Sequence, residues 1–418
     1  MEFIERLQSI IAYAKEEIPF YSRLYADIDL MQIKSADDLN KLPFITAEDL
    51  IAHFDELRSV KEKMYRVTSS SGTLGRPKII YRTKSDSKKS IDVLEDLLRM
   101  AGVTKEDVVF IGQPFDMAHF GYLVMGGCEQ IGAMAIPAGI AMSNEKYVSL
   151  IQLYKPSVIC SSLSRVVAII QLLQESRIKS LPYVKKIILA GEPLIRSGVE
   201  KIREYFHTVP FNFYGSEETD GLAGDCIYHT GLHFFNDSFY LELLEMKSIR
   251  PVKKGNRVGE AVITSLYQKG VPLIRYRLGD IVEVEHTKCQ CDSDRPLIHV
   301  YGRANDSFTL FDGITIMAYQ IEAVINQCFS DMINYQIVLS TLVPGIDEIC
   351  IRLEQKHSSE NYDEEQFVNA LWNCTEDLNG LRETGQLKIT ISVNQGNIVV
   401  TPRGKTMKVI DLRNKEDV

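Results

Sequence analysis

The stretch TSSSGTLGRPK, from Thr68 to Lys78, combines small residues, hydroxyl groups and a basic end. Small residues let backbone N–H groups approach a phosphate closely, hydroxyl groups add hydrogen-bond donors, and basic side chains balance negative charge. The stretch does not match the P-loop pattern GxxxxGK[ST], which argues against a kinase or a GTPase. A flexible Ser/Gly linker is the alternative, but linkers rarely end in Arg-Pro-Lys between predicted elements. We therefore expect a phosphate-binding loop here.

Helices and strands alternate from this loop to residue 206, beginning with a predicted strand at Lys78–Tyr81. Such alternation predicts an α/β fold with a largely parallel sheet. Residues 1–50 are expected to be helical, because apolar residues recur at helical spacing before Pro19. The next predicted helices are 85–101, 120–131, 144–154, 163–175 and 195–206, and the predicted strands between them are 107–111, 133–137, 157–160 and 185–190.

The pattern changes after residue 208, where strands separated by turns predict a β-rich subdomain of the same large N-terminal lobe. These strands are Phe234–Glu245, Gly259–Ser265, Pro272–Arg277 and Ile281–His286. From about residue 305, a βαββαβ-like order predicts a small α+β C-terminal domain. Its predicted helices are Met317–Phe329 and Glu364–Leu378, its strands are Tyr335–Ser340, Glu348–Glu354 and Leu387–Val393, and 356–364 is an expected exposed loop. The predicted domains are therefore 1–304 and 305–418.

The composition excludes several classes of protein. The 418 residues are 45% apolar and 25% charged, which is typical of a folded protein with two or three lobes. With 47 basic and 56 acidic side chains, the net charge of −9 argues against a nucleic-acid or membrane partner. No signal peptide or long apolar run is recognisable, and the eight cysteines are irregularly spaced. We therefore expect a cytoplasmic protein without a disulfide scaffold.

Four further motifs follow the small-residue loop in order. They are GEPL at 191–194, YGSEE at 214–218, YRLGD at 276–280 and GRAND at 302–306. The first two place acidic residues after strands, where α/β sheets have their ligand sites. Each motif alone is a weak signal, because Gly-Asp and Gly-Arg are common in turns.

Together, these motifs resemble the adenylate-forming enzyme superfamily, and most closely its phenylacetate–CoA ligase-like branch. The segment Ser70–Pro77 resembles the family loop SSGTTGKP, YGSEE resembles YGxTE, YRLGD resembles YRTGD, and GRAND resembles GRxDD. The segment Pro402–Val409 resembles the part that carries the family's catalytic lysine. Near the N-terminus, IPFYSRLY and LPFITAEDL also resemble this branch, so the resemblance covers nearly the whole chain.

The resemblance implies an AMP-forming acid–thiol ligase that uses ATP and Mg²⁺ to activate a carboxylic acid as an acyl-adenylate. Coenzyme A is the default acceptor and would give a thioester. The alternatives are transfer to an amine, a hydroxyl or the phosphopantetheine of a carrier protein, or a degenerate homologue that binds nucleotide or acyl-adenylate without turnover. Either a monomer or a homodimer is compatible with the sequence.

The resemblance also implies roles for individual residues. Lys405 would stabilise the charge that develops at the α-phosphate, with Lys408 as a competitor, and Glu218 would hold Mg²⁺. Asn305 takes the hinge position, about which the C-terminal domain is expected to swing. Glu217 replaces the usual threonine or serine and adds a second negative charge unless it turns away or shares the metal. The implied nucleotide-binding residues are Ser70, Ser71, Gly72, Thr73, Gly75, Arg76, Gly191, Glu192, Tyr214 (on adenine), Gly215, Ser216, Glu217, Asp280 (on ribose) and Arg303.

The acyl pocket is expected along the segment that follows the predicted strand 107–111. Its mixture of aromatic and small residues suits a flat aryl ring, which favours an aryl or arylacetic acid, although the same mixture suits a plain core helix. His119 is open to two interpretations, contact with the acid or a satisfied interior histidine. The candidate pocket residues are Phe115, His119, Tyr122 and Phe213.

A structural zinc site is the last predicted feature. Thiolates and imidazole form tetrahedral Zn²⁺ sites, but the CxC pair at 289–291 is weak by itself, and free thiols are the alternative. The resemblance implies a zinc held by Cys226, His233, Cys289 and Cys291, with His229 as a possible substitute for His233.

Overall fold

The computed structural model describes residues 3–69, 77–245, 257–304, 306–310, 314–329, 332–343, 345–355, 363–394, 398–399 and 407–413. The chain forms two compact units. The large unit consists of Met1–Leu194 and Val199–Val300, and the small unit consists of Ile195–Gly198 and Tyr301–Val418. The functional boundary at residues 304 and 305 stays a prediction, because Asn305 lies outside the described residues.

The helices of the described residues are α1 (Phe3–Glu17), α2 (Pro19–Leu24), α3 (Ala47–Ala52), α4 (Lys84–Met100), α5 (Phe120–Ile131), α6 (Asn144–Tyr154), α7 (Leu163–Glu175), α8 (Arg196–Phe206), α9 (Ala318–Cys328), α10 (Glu364–Trp372) and α11 (Glu376–Leu381). None of them is long and apolar enough to cross a membrane.

The strands are β1 (Met64–Ser69), β2 (Ile79–Thr83), β3 (Val108–Ile111), β4 (Met134–Pro137), β5 (Val158–Ser161), β6 (Lys186–Ala190), β7 (Phe211–Ser216), β8 (Asp220–Gly224), β9 (Leu232–Phe234), β10 (Phe239–Leu244), β11 (Val258–Ser265), β12 (Tyr276–Glu285), β13 (Leu297–Arg303), β14 (Ser307–Thr309), β15 (Thr315–Met317), β16 (Met332–Val343), β17 (Ile346–Gln355), β18 (Leu387–Val393) and β19 (Val409–Asp411).

An eleven-stranded sheet forms the frame of the large unit. Its order is β10-β11-β12-β13-β9-β8-β7-β6-β5-β3-β4. The five strands from β4 to β7 pair in parallel, which confirms the predicted α/β fold. Beyond β7 the pairing becomes antiparallel, as at β7–β8, β8–β9 and β11–β12. The predicted β-rich part therefore extends the same sheet. A separate antiparallel pair, β1–β2, carries both ends of the predicted phosphate-binding loop.

Helix α4 shows why the local sequence forms these elements. The Thr83 hydroxyl accepts a hydrogen bond from the Asp86 N–H, and the Asp86 carboxylate accepts one from the Thr83 N–H, so the two residues form a capping box. Val93, Leu94 and Leu97 recur at helical spacing and are buried. They belong to a core that α4 shares with α5 and with strands β3, β5, β6 and β7.

Two predicted strands were wrong in part. The run Phe234–Glu245 divides into β9 and β10, because the chain turns where the Phe239 N–H donates to the Phe235 carbonyl. Of the predicted strand Pro272–Arg277, only the last two residues lie in a strand, because β12 begins at Tyr276. Arg275 has a left-handed φ of 50°, and its buried guanidinium is paired with Glu242. Tertiary contacts of Arg275 therefore decide where β12 begins.

The small unit is an α+β domain, as predicted. Its four-stranded sheet has the order β18-β17-β16-β19, with β17–β18 and β16–β19 parallel and β16–β17 antiparallel. The predicted helix Glu364–Leu378 is interrupted, because the Thr375 hydroxyl caps the new helix α11 by accepting from the Leu378 N–H at 3.0 Å. The expected loop 356–364 lies mostly outside the described residues.

The Asp107 carboxylate joins the chain segments that lead into β3, β5 and β6. It accepts hydrogen bonds from the Ser157 hydroxyl at 2.7 Å, the Thr104 N–H at 2.9 Å and the Lys186 ammonium at 3.0 Å. Burial alone would raise the pKa of Asp107, but these donors outweigh burial and lower its pKa below 3.8. The ionised form therefore stabilises the fold.

We expect Asp107→Asn to lower the free energy of unfolding at pH 7 by about 1–3 kcal/mol. A lowered carboxyl pKa gives stability that is complete above the ordinary pKa and is lost as the pH falls through the folded-state value. The difference from wild type should therefore shrink below about pH 4. Urea unfolding at pH 7, 5 and 3.5 measures it, with the exposed neighbour Glu106→Gln as the control. An equal loss at all three pH values would contradict this account.

Candidate functional site

The predicted phosphate-binding loop starts and ends on the β1–β2 pair, in which Ser69 lies opposite Ile79. The loop residues to which we assigned phosphate contacts lie outside the described residues, namely Ser70, Ser71, Gly72, Thr73, Gly75 and Arg76. Their roles stay predictions. Lys78, the last residue of the quoted stretch, is described, and its ammonium points to the acidic motif at the end of β7.

Glu218 is the centre of the candidate site. Its side chain is 2% exposed, and its Oε1 atom accepts hydrogen bonds from the Lys78 ammonium and, at 2.7 Å, from the Tyr276 hydroxyl. Burial alone would raise the pKa of Glu218, but the charge of Lys78 and these hydrogen bonds outweigh burial and lower it. The structure therefore maintains a buried, ionised carboxylate, which is the ligand type that Mg²⁺ prefers.

The turn that carries Glu218 is held by its backbone and by a buried ion pair. A Cβ on Gly215 would lie 1.7 Å from the Asp220 carbonyl oxygen, so only glycine fits there. The Asp220 carboxylate receives two hydrogen bonds from Arg82, from Nη2 at 2.7 Å and from Nε at 3.1 Å. Because Arg82 belongs to β2, this pair joins the loop-bearing strands to the β7–β8 turn.

Other predicted nucleotide-binding residues follow strands β6 and β7. These strands are adjacent and parallel, so their carboxyl ends meet at one edge of the sheet. Gly191 has a φ of 86°, and the Glu192 carboxylate accepts from the Ser164 N–H and hydroxyl at 2.9 and 2.7 Å. The Ser216 hydroxyl lies 3.0 Å from the Thr219 hydroxyl. The structure thus gathers Gly191, Glu192, Tyr214, Gly215, Ser216, Glu217 and Glu218 along two neighbouring strands.

The predicted adenine and ribose contacts, Tyr214 and Asp280, lie close together as well. The Tyr214 hydroxyl donates a hydrogen bond to the Asp280 carboxylate at 2.5 Å, although 66 residues separate them in sequence. Arg303 belongs to the small unit, and its carbonyl accepts from the Asp306 N–H at 3.0 Å. The geometry leaves the ligand roles of these three residues as predictions.

The predicted acyl-pocket residues have different environments. The Phe115 and Tyr122 rings meet edge to face at 5.0 Å, and Tyr122 is partly exposed. Phe213 is 4% exposed and belongs to the core beneath α4, so its side chain contributes to packing. His119 is buried and lies 3.1 Å from the Glu217 carboxylate. Phe115 and Tyr122 are therefore the better supported of the four candidates.

The predicted zinc ligands are brought together. The donor atoms of Cys226, His233, Cys289 and Cys291 all lie within 4.8 Å of one another. The Sγ atoms of Cys226 and Cys289 are 3.6 Å apart, and Nε2 of His233 is 3.4 Å from Sγ of Cys291. Zinc–ligand bonds of about 2.3 Å to sulfur and about 2.0 Å to nitrogen place tetrahedral donors roughly 3.5–3.8 Å apart. These four side chains therefore fit zinc.

The chemistry of the cluster also fits a cation. Burial raises the pKa of the Cys226 thiol to about 12. Burial would also raise the pKa of Cys289, but hydrogen bonds from the Cys291 backbone and the Thr230 hydroxyl lower it to about 7. Adjacent thiols thus compete for protons, and a cation would hold all of them as thiolates. His229 lies elsewhere, with its ring 4.6 Å from the Phe211 ring, so His233 is the better fourth ligand.

Comparison with known proteins finds relatives over nearly the whole chain, although no protein-family model matches it. A phenylacetate–coenzyme A ligase of Thermus thermophilus is 27% identical over 98% of this chain and 95% of that protein. A phenylacetate–coenzyme A ligase of Escherichia coli is 25% identical over 98% and 94%, respectively. The chain is a homologue of the phenylacetate–coenzyme A ligases.

A solved structure gives the same fold. The 2-hydroxyisobutyryl-CoA ligase in its postadenylation state, in complex with R3-HIB-AMP, matches with a TM-score of 0.77 at 21% identity. The match covers 98% of this chain and 88% of that one. The same ligase in complex with 2-HIB-AMP and CoA matches with a TM-score of 0.68. The fold is therefore that of an adenylate-forming ligase.

The two candidate lysines of this homologue differ in what the structure describes. Lys405 lies outside the described residues. The Lys408 ammonium donates to the Glu322 carboxylate and the Tyr335 hydroxyl, both at 2.8 Å, and lies 4.0 Å from the centre of the Tyr335 ring. Lys408 is thus bound within the small unit, and this favours a structural role for it.

Sequence reasoning missed several residues that organise the site. Lys78 and Tyr276 belong to two of the motifs described above, and this could have indicated that they take part in the site. Arg82 and Asp220 stand outside the motifs, and nothing in their local sequence indicates that they pair. Gln268 belongs with them, because its side-chain amide donates to the Glu218 carbonyl at 2.8 Å.

We expect the purified protein to contain about one zinc per chain and Cys289→Ser to lose most of it, because three ligands seldom hold a structural zinc. Elemental analysis of folded protein measures the content. Cys328→Ser, which alters an exposed thiol, is the matched control and should retain zinc. Wild-type protein with less than about one half zinc per chain would count against the site.

Proposed function

We propose that this chain is an AMP-forming ligase that activates a carboxylic acid with ATP and transfers the acyl group to coenzyme A. The observation that carries the proposal is the buried, ionised Glu218, which is paired with Lys78, the last residue of the small-residue stretch. Its homology to phenylacetate–coenzyme A ligases over 98% of the chain supports the same assignment. The proposed substrates are therefore an organic acid, ATP and coenzyme A.

The reaction requires two anions to meet. In the first step, a carboxylate oxygen of the acid forms a bond to the α-phosphorus of ATP, and pyrophosphate leaves. In the second step, the coenzyme A thiol gives up its proton and its sulfur bonds to the acyl carbon, while AMP leaves. Positive charge around the phosphates lowers the barrier of the first step. Residues that supply or organise this charge are therefore the proposed catalytic residues.

The proposed roles follow the charge of each group. Glu218 would hold Mg²⁺, which would neutralise charge on the phosphates when bound. The loop 70–76 would bind the β- and γ-phosphates through its N–H and hydroxyl groups. Tyr214 and Asp280, already hydrogen-bonded to each other, would contact adenine and ribose. Lys405 would stabilise the charge that develops at the α-phosphate.

An aryl or arylacetic acid is the proposed substrate class. The relatives from Thermus thermophilus and Escherichia coli are phenylacetate–coenzyme A ligases, and the partly exposed Tyr122 ring beside Phe115 offers an aromatic surface. The solved 2-hydroxyisobutyryl-CoA ligase is named for a short hydroxy acid. Short hydroxy acids are therefore the class of substrate to test against aryl acids. Zinc at the Cys/His cluster would be structural, because its four protein donors complete a tetrahedral site.

We expect pyrophosphate release to depend on phenylacetate or a related aryl acid, and acyl-CoA to form when coenzyme A is added. A panel of aryl, arylacetic and short hydroxy acids, run with and without coenzyme A, measures both steps. Glu218→Gln should lower acid-dependent release by at least about 100-fold, because the metal ligand loses its charge. Release without thioester formation would favour another acceptor, and no release with any acid would favour a binding-only homologue.

We expect Lys405→Ala to lower adenylation by at least about 100-fold without a change in melting temperature, because it removes one charge contact in the transition state. Lys408→Met should instead destabilise the small unit, because Glu322 and Tyr335 lose their partly buried partner. Pyrophosphate release and calorimetry separate the two effects. The exposed Lys388→Met is the control. Near-normal adenylation by Lys405→Ala would move the catalytic role elsewhere.

A further inference from the structure

Glu217 places a second carboxylate directly beside the proposed metal ligand. Ionised carboxylates repel the polyphosphate of ATP, and the repulsion is strong where water is scarce. The Glu217 side chain is 14% exposed, and within the described part of the chain its carboxylate has one hydrogen-bonding partner. That partner is His119, whose Nδ1 atom lies 3.1 Å from Oε1 of Glu217. The carboxylate therefore faces the histidine.

His119 lies between two carboxylates. Nδ1 faces Glu217, and Nε2 lies 3.5 Å from Oδ1 of Asp220. The ring is 2% exposed, and Nε2 has no hydrogen bond within the ranges that the structure describes. A carboxylate oxygen accepts hydrogen bonds, so Nδ1 of His119 is the donor to Glu217.

Asp220 already has its own cation. Arg82 donates to both oxygens of Asp220, and the Ser90 hydroxyl donates to Oδ2 at 2.6 Å. The ring nitrogen Nδ1 of His119 is therefore the group that remains for Glu217.

We propose that His119 and Glu217 form a hydrogen-bonded pair that keeps the Glu217 carboxylate away from the phosphates of Mg·ATP. His119 is then a positioning residue, which acts on nucleotide binding through Glu217 and has no contact with the acid. The inference rests on the proposed function, because it assumes that ATP binds beside Glu218. It explains how a chain with two adjacent carboxylates in this motif can still accept a polyphosphate.

The test is a double-mutant cycle between His119 and Glu217. We expect His119→Ala to weaken Mg·ATP binding by at least about 10-fold in the wild-type background, because Glu217 is released as an unpaired charge. The same substitution in a Glu217→Gln background should weaken binding by less than about 3-fold, since there is no charge left to restrain. Calorimetric titration with Mg·ATP measures the four dissociation constants, and thermal unfolding confirms that each variant is folded.

The controls separate this pair from a general structural effect. His53→Ala removes a more exposed histidine that lies 3.6 Å from Glu56, and it should leave Mg·ATP binding unchanged. If His119→Ala does not fold, His119→Leu takes its place in the cycle because it retains volume and has no donor. Equal losses in both backgrounds, or no loss in either, would overturn the pairing.

Two further outcomes have distinct meanings. A change in acid preference with unchanged Mg·ATP binding in the His119 variants would overturn the pairing and assign His119 to the acyl pocket. Wild-type protein that binds no Mg·ATP would overturn the proposed function itself, and the inference with it. The wild-type titration therefore separates failure of the proposed function from failure of the pairing.

Discussion

The Arg82–Asp220 ion pair is the interaction on which the rest of the candidate site depends. Both side chains are almost fully buried, and they belong to separate sheets. Removal of either partner would leave a buried charge, which typically costs about 3–5 kcal/mol. The folded protein therefore keeps β2 against the β7–β8 turn. Lys78 precedes Arg82 by four residues and Glu218 precedes Asp220 by two, so this constraint also brings the ammonium and the carboxylate together.

Local signals were enough to predict much of the fold. Helix α6 and strand β18 have the predicted bounds, because a Ser143 cap and a regular apolar pattern lie within their own sequence. The errors lie where distant contacts decide the backbone. Arg275, which has a left-handed φ, is paired with Glu242 of β10, 33 residues away in sequence. The hydrophobic periodicity of a short stretch of sequence does not predict a partner so far away.

The candidate site shows the same division. The motifs identified residues that the structure gathers along β6 and β7, because parallel neighbours end at one edge. The motifs did not identify the partners of those residues. Glu218 pairs with Lys78 across 140 positions, and Glu217 lies beside His119 across 98. Such pairs depend on how the turn and the loops pack. This packing cannot be predicted from the local pattern of one sequence.

The way in which Met407 is held has a consequence for the nearby Lys405. The Met407 N–H donates to the Val399 carbonyl at 3.1 Å, and the Met407 carbonyl accepts from the Gln336 side chain at 2.7 Å. Lys408, the next residue, is bound through both its backbone and its ammonium. Two residues of extended chain span at most about 7 Å, so the Cα of Lys405 cannot move farther than that from Met407. A displacement of Lys405 beyond that distance would require the whole small unit to move with Met407. The distance over which this lysine can move therefore depends on the domain and not on a loop.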